Sequence, residues 1–379
     1  MALFTENSCR PAADGISFRW HELPPLPPST GETEQPGVAG PLAGALGNRL
    51  LVAGGANFSG GLPWRGGTKI YHDEIFLLEK NGPENYFWKQ AEEKLPFPLA
   101  YPACLSLAQG VISIGGENEQ GPLNDVLLLT FAGQKVNIEW LPPLPLPLSA
   151  AGAAAIDSTL FVAGGSDQAG ASPAFLALDL QNRPLGWQKL PDLPEALSHA
   201  VVVSQHDGKE RCVYVLGGRN KTSEISTFRS SVWKYTPSAK TWTMESQITE
   251  ARQPSARSAG TGIAVGNNLI ALFGGDPGIF FNRTEQLNNA IAAATTDAER
   301  QQLLLEKDSM LTSHPGFSNT LLLFNTVTKT WTTAGSLPGH PPVTTTAFYW
   351  DNQVVIPSGE IRPGVRTPKI MGAEISTAK

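Results

Sequence analysis

Residues 50–55 read LLVAGG, an apolar run closed by a glycine pair, and the same phrase returns along the chain. It recurs as VISIGG (111–116), LFVAGG (160–165), VYVLGG (213–218) and LIALFGG (269–275), and in worn form as VVIPSG (354–359). The closing glycines stand 61, 49, 53, 57 and 84 residues apart. A β-rich unit recurring at about 50 residues is the mark of a propeller, in which each repeat is one four-stranded blade. Such a ring binds its ligand on one face, built from the same two loops of every blade.

Each glycine pair is followed by a variable loop, a second apolar strand and a tryptophan. The second strands are DEIFLLE (73–79), NDVLLLT (124–130), PAFLALDL (173–180), SSVWKYT (230–236) and NTLLLFN (319–325). Their two-residue alternation is weak, as expected of strands covered on both faces by neighbouring blades. Trp88, Trp140, Trp187, Trp242 and Trp331 are expected to pack between blades. Proline clusters at 23–28, 95–98, 141–147, 190–194 and 337–342 mark the crossings, because proline lacks the N–H a central strand requires. The sixth repeat has no tryptophan after Gly359, and the missing piece lies at the other end, in ISFRWHELPP (16–25) with Trp20. The N-terminal strand is therefore expected to complete the C-terminal blade, closing the ring and removing an exposed sheet edge. The expected fold is all-β, a single six-bladed β-propeller domain over 1–379.

The long fifth interval carries an insertion, 276–316, containing TEQLNNAIAAA and TDAERQQLLLEKDSML. Both segments lack proline and are rich in helix formers, with Thr284 and Thr296 placed as N-caps. The expectation is two short helices, or a helical hairpin, serving as a lid, a binding loop or an oligomer contact.

Composition narrows the partners. A net charge of -6 argues against a nucleic-acid surface, and no apolar run reaches the roughly 18 residues a membrane span needs. Residues 1–15 are polar with no apolar signal core, so a cytoplasmic protein is expected, with a periplasmic one whose start was replaced as the alternative. Cys9, Cys104 and Cys212 make no disulfide framework, and the latter two read as buried small hydrophobes. Six scattered histidines without CxxC or HExxH spacing lead us to expect no metal and no cofactor.

The loops that follow the glycine pairs hold Asn57, Glu117, Arg219, Glu360, Arg362 and Arg366, and the loops entering the next blade hold Tyr101 and Arg257. Several arginines and two glutamates over a central pocket suit a carboxylated, hydroxylated small molecule, since the guanidinium fork grips a carboxylate with two parallel hydrogen bonds.

GGANFSGGLPWRGGTKIYHDEIFLL (54–78), SGEIRPGVRTP (358–368) and the insertion closed by SHPGFSNTLLLFNT (313–326) carry a resemblance. Over essentially its full length the chain resembles the kelch-type six-bladed propellers, and more closely the cyclically permuted mutarotase family that acts on sialic acid. Here the GE-x-R-PG-x-R string closes the chain, whereas in well-known members it lies mid-chain; permutation keeps the ring geometry. The resemblance implies an isomerase that interconverts the α- and β-anomers of N-acetylneuraminate without a cofactor. It implies Glu360 as general base, Arg366 as the arginine that grips the substrate's anion, Arg362 at a position shared with lysine, and Glu117 at a further family position. The alternatives are a non-enzymatic kelch interaction module and a binder of another sugar acid. A sialidase lacks support because no S-x-D-x-G-x-T-W box occurs, and a copper oxidase because no paired Tyr and His ligands stand out.

Overall fold

The computed structural model describes residues 15–82, 85–133 and 135–377. Among them, six four-stranded antiparallel sheets follow one another as blades. Blade I runs from the centre outward through Leu42–Leu46, Arg49–Ala53, Glu74–Lys80 and Tyr86–Lys94. Blades II to V repeat that order from Ala103, Gly152, Val201 and Thr261. The second strand of blade I shows why its alternation is blurred. Leu50 and Val52 pack with Phe348 and Val355 of blade VI, while Leu51 and Ala53 pack with Val111 and Leu127 of blade II. Both faces of the strand are core, so both sets of side chains are apolar.

The ring closes as expected. Blade VI takes Phe348–Trp350, Gln353–Pro357 and Ile370–Thr377 from the C-terminal end and Ile16–Leu23 from the N-terminal end. The last two strands pair in register from Ile16 opposite Thr377 to Leu23 opposite Ile370. Trp20 then packs edge-on against Phe273 of blade V, with ring centroids 5.8 Å apart. Residues 1–14, including Cys9, lie outside the described residues. Cys212 is buried, but Cys104 is only partly so, because it borders the channel between the innermost strands.

The tryptophans have a second role beyond filling space. Trp88, Trp187 and Trp242 donate their indole N–H to the carbonyls of Pro24, Pro142 and Pro191, at 3.0, 2.8 and 2.9 Å. Each outer strand is thereby pinned to the proline-rich crossing that enters its own blade. Trp140 departs from the expectation: its side chain rests on Phe97 at 5.9 Å, yet it is 55% exposed.

The glycine pairs turn the chain at the end of each second strand. Gly54 and Gly55 have φ of +60° and +87°, and a Cβ on Gly54 would meet the Leu99 carbonyl oxygen at 2.4 Å. The Gly55 N–H donates to that same carbonyl at 2.7 Å, hooking one blade to the entry of the next. Beyond these hooks, one residue of each crossing takes φ between +49° and +60°: Gly40, Tyr101, Ala150, His199, Ala259 and Thr344. The N–H of each donates to the carbonyl of the one before, at 2.6–2.9 Å, and Gly40 closes the circle on Thr344. Six head-to-tail hydrogen bonds thus form a closed belt around the axis.

The insertion is a helical hairpin, α1 (Ile279–Ala293) and α2 (Asp297–Thr312). Thr296 caps α2 as expected, accepting from the Glu299 N–H at 3.2 Å. Thr284 does not cap α1, which starts five residues earlier. Asp276 organises that start by accepting from the Gly278 N–H at 2.8 Å, while Thr284 lies inside the helix with its hydroxyl on the Phe280 carbonyl.

Candidate active site

The residue that follows each glycine pair bridges to the residue that precedes a belt position. The six are Ala56, Glu117, Ser166, Arg219, Asp276 and Glu360. Two concentric rings of side chains result, belt residues within and post-glycine residues around them. Glu117, Arg219, Asp276 and Glu360 of the outer ring, with Tyr101 and His199 of the belt, face one cavity of about 800 Å³. The floor is therefore a consequence of the repeat, while its chemistry comes from what each blade puts at two equivalent positions.

The hairpin roofs this cavity with Phe280, Phe281, Leu311 and, just beyond α2, His314 and Phe317. It is tied down at both sides. At blade I, Asp308 accepts from Trp64 Nε1 at 2.9 Å and Arg65 Nη2 at 2.7 Å, and the Arg65 bond holds its carboxyl below the ordinary range. At blade IV, Glu285 accepts from the Ser226 N–H at 2.6 Å and pairs with Lys221 at 2.9 Å.

Glu360 and Arg366 face each other across a short hairpin (360–366) turned by Pro363 and Gly364. Glu360 Oε1 accepts from the Gly364 N–H at 2.8 Å and from Arg366 Nη1 at 3.1 Å. Among the described residues, its second oxygen has no partner. Arg366 is held in turn: its side chain is 4% exposed, its Nε donates to the Ala56 carbonyl at 3.4 Å, and its guanidinium lies 4.7 Å from the Phe58 ring.

Across the floor, Glu117 Oε1 accepts from Lys69 Nζ at 2.7 Å and Tyr71 Oη at 2.8 Å. Lys69 sits 4.6 Å from the rings of both Tyr71 and Tyr101. Burial pushes the Tyr101 phenol up and keeps it protonated. Burial, reinforced by the charges of Arg219 and Lys69, drives His199 well below its ordinary value and leaves it neutral. Burial also raises Asp276 and lowers Arg219.

Five of the eight residues expected from sequence therefore meet at this cavity: Glu360, Arg366, Glu117, Arg219 and Tyr101. The other three are not among its lining. Arg257 is buried and committed elsewhere, pairing with Glu250 and donating to Ser255 Oγ at 2.7 Å. Asn57 is a strut, 2.9 Å from His72 Nε2 and 3.2 Å from the Gly37 carbonyl. Arg362 follows a slip in the hairpin ladder after Glu360 and stands near His314, whose pKa burial and that charge lower. Reading the chain alone does not single out Lys69, Tyr71 or the roof phenylalanines. Lys69 and Tyr71 sit two apart on the strand Thr68–Tyr71, the spacing that puts both on one face. Among the described residues, no three His, Cys, Asp or Glu side chains converge as a metal-binding group.

Comparison with known proteins places the chain among relatives. The chain is 27% identical over 222 residues to an N-acetylneuraminate epimerase of Salmonella typhimurium, covering 58% of this chain and 54% of that protein. It is 35% identical over 136 residues to one of Brucella melitensis, covering 33% of each. The match thus spans about half the length of the first of these relatives, and less of the second. A sequence model of the N-acetylneuraminate epimerase family matches residues 3–138 and 141–379. The chain belongs to the N-acetylneuraminate epimerase family.

Proposed function

We propose that this cavity interconverts the α- and β-anomers of N-acetylneuraminate by opening and reclosing the sugar ring. One observation carries the reading: Glu360 is oriented through one oxygen by Arg366 and the Gly364 N–H, and its other oxygen is free in a roofed cavity. That oxygen takes the proton of the anomeric hydroxyl while the bond from anomeric carbon to ring oxygen breaks. The protonated carboxyl then delivers the proton to the ring oxygen, leaving an open-chain 2-keto acid. Rotation presents the other carbonyl face, and the reverse steps close the ring as the opposite anomer. Atoms and charge balance without any co-reactant. Acid–base help of this kind contributes about 10²–10⁴-fold, enough for a reaction that already proceeds slowly in water.

The surroundings suit the substrate. Cationic side chains on the floor match its carboxylate, and the Phe280, Phe281 and Phe317 side of the roof matches an apolar N-acyl methyl. Roofing the site removes bulk water and fixes the anomeric carbon over the base, where an error of an ångström costs rate.

Proton NMR of α-N-acetylneuraminate freshly released by a sialidase tests this. We expect a trace of the protein to speed the approach to the anomeric equilibrium, and Glu360→Gln to lose that acceleration while still binding the sugar. An unchanged rate with the unaltered protein would overturn the proposal.

A further inference from the structure

Five cationic side chains line the cavity: Lys69, Arg219, Lys221, Lys307 and Arg366. Four are already engaged. Lys69 meets Glu117 at 2.7 Å, Lys221 meets Glu285 at 2.9 Å, and Arg366 meets Glu360 at 3.1 Å. Lys307 donates to Asn288 Oδ1 at 2.7 Å. Arg219 differs from all of them. Among the described residues its guanidinium has no hydrogen-bond or ion-pair partner, only the rings of Phe281 at 4.5 Å and Phe228 at 5.8 Å. The carboxylates whose charge it feels, Asp276, Glu360 and Glu285, form no ion pair with it among the described residues, and one Asp276 oxygen is committed to the Gly278 N–H.

We infer that Arg219 takes the substrate's carboxylate, and that Arg366 is a positioning residue for Glu360 rather than the anion grip. This rests on the function proposed above. A guanidinium resting on aromatic rings is restrained in orientation while its edge donors stay free, which is the state of a site prepared for a planar carboxylate. Burial lowers its pKa even though the charges of Asp276, Glu360 and Glu285 act the other way, and a carboxylate bound directly to its free donors supplies closer compensation. Arg366, by contrast, already gives Nη1 to Glu360 and Nε to the Ala56 carbonyl, so a second carboxylate there would compete with the contact that orients the base. The ring geometry completes the case. Arg219 and Glu360 occupy equivalent positions two blades apart, facing the same space. In a 2-keto sugar acid the carboxylate is borne on the anomeric carbon itself. Holding it from blade IV therefore presents the anomeric hydroxyl toward blade VI.

The test is calorimetric titration of the unaltered protein, Arg219→Gln and Arg366→Gln with N-acetylneuraminate and with its methyl ester, alongside anomerisation kinetics. The unaltered protein should prefer the acid over the ester by roughly ten- to a hundredfold, the value of charge-assisted hydrogen bonds in a desolvated site. Arg219→Gln should lose that preference and raise KM. Arg366→Gln should keep the preference while kcat falls. A preference that survives in Arg219→Gln, or that disappears only in Arg366→Gln, overturns the inference. If Arg219→Gln does not fold, Arg219→Lys serves, retaining the charge but not the fork, and it should lose most of the preference. Failure of the underlying reading looks different, because the unaltered protein would then neither anomerise nor bind N-acetylneuraminate. Uronic and aldonic acids would be titrated next, and Arg219→Gln must abolish whichever carboxylate binding appears; none appearing overturns the inference as well.

Discussion

Ser358 Oγ lies 2.9 Å from both the backbone nitrogen and the carbonyl oxygen of Val38, joining positions 320 residues apart, and 2.8 Å from the Thr367 carbonyl. Ser358 stands where five other blades have the first glycine of their pair, and it adopts the same left-handed conformation, with φ of +53°. The worn repeat therefore has a purpose: the serine replaces conformational ease with a hydroxyl that fastens blade VI to the entry of blade I. Ser358→Ala leaves the buried Val38 N–H unpaired and should cost about 1–3 kcal/mol. Urea denaturation monitored by tryptophan fluorescence checks this, and an unaltered midpoint would show the clasp to be redundant.

Gly364 is the turn that brings Glu360 and Arg366 face to face. It has φ of +72°, and an added Cβ would stand 2.6 Å from Pro63 Cδ. Gly364→Ala should displace the hairpin, cost about 1–2 kcal/mol of stability from the left-handed backbone, and lower kcat far more than that loss implies. Melting curves and anomerisation rates measured on the same preparation separate the two effects.

The roof is held at blade I by Asp308, through a part-buried contact with Trp64 and an exposed ion pair with Arg65. Exposed pairs add little to global stability, so Asp308→Ala should leave the melting temperature essentially unchanged. Amide exchange in α2 should nevertheless quicken, with a rise in KM as the roof opens more often. Unchanged exchange in α2 would show that Glu285 and the roof's apolar packing suffice.

His199 links the site to acid stability. Its folded pKa lies well below the 6.5 of an ordinary histidine, because burial first, then Arg219 and Lys69, disfavour the charged ring. Below about pH 6.5 the unfolded chain binds the proton that the folded one refuses, so stability is full above that value and falls as pH drops. His72 and His314 act in the same direction. Asp276, raised by burial, opposes them only nearer its own lower range. His199→Gln should flatten part of the decline in melting temperature between pH 7 and 5; an identical slope would remove His199 from the account.

Much of this was legible in the chain. The apolar runs ended by glycine pairs dictate strand, turn and repeat because glycine adopts positive φ without strain and leaves room for a crossing backbone. The split of blade VI followed from one missing tryptophan and its counterpart at Trp20. The short string around Glu360 foretold the hairpin because its spacing is local, with Pro363 and Gly364 making the turn between Glu360 and Arg366.

Long-range matters were decided only by the tertiary structure. That Arg257 is spent on Glu250, that Asn57 braces His72, and that Arg366 holds Glu360 while Arg219 stays free depend on atoms brought within 4 Å by the folded chain. A loop's sequence states which charges are present. Whether a charge is free to meet a ligand depends on which neighbour reaches it first, and that is a property of the closed ring.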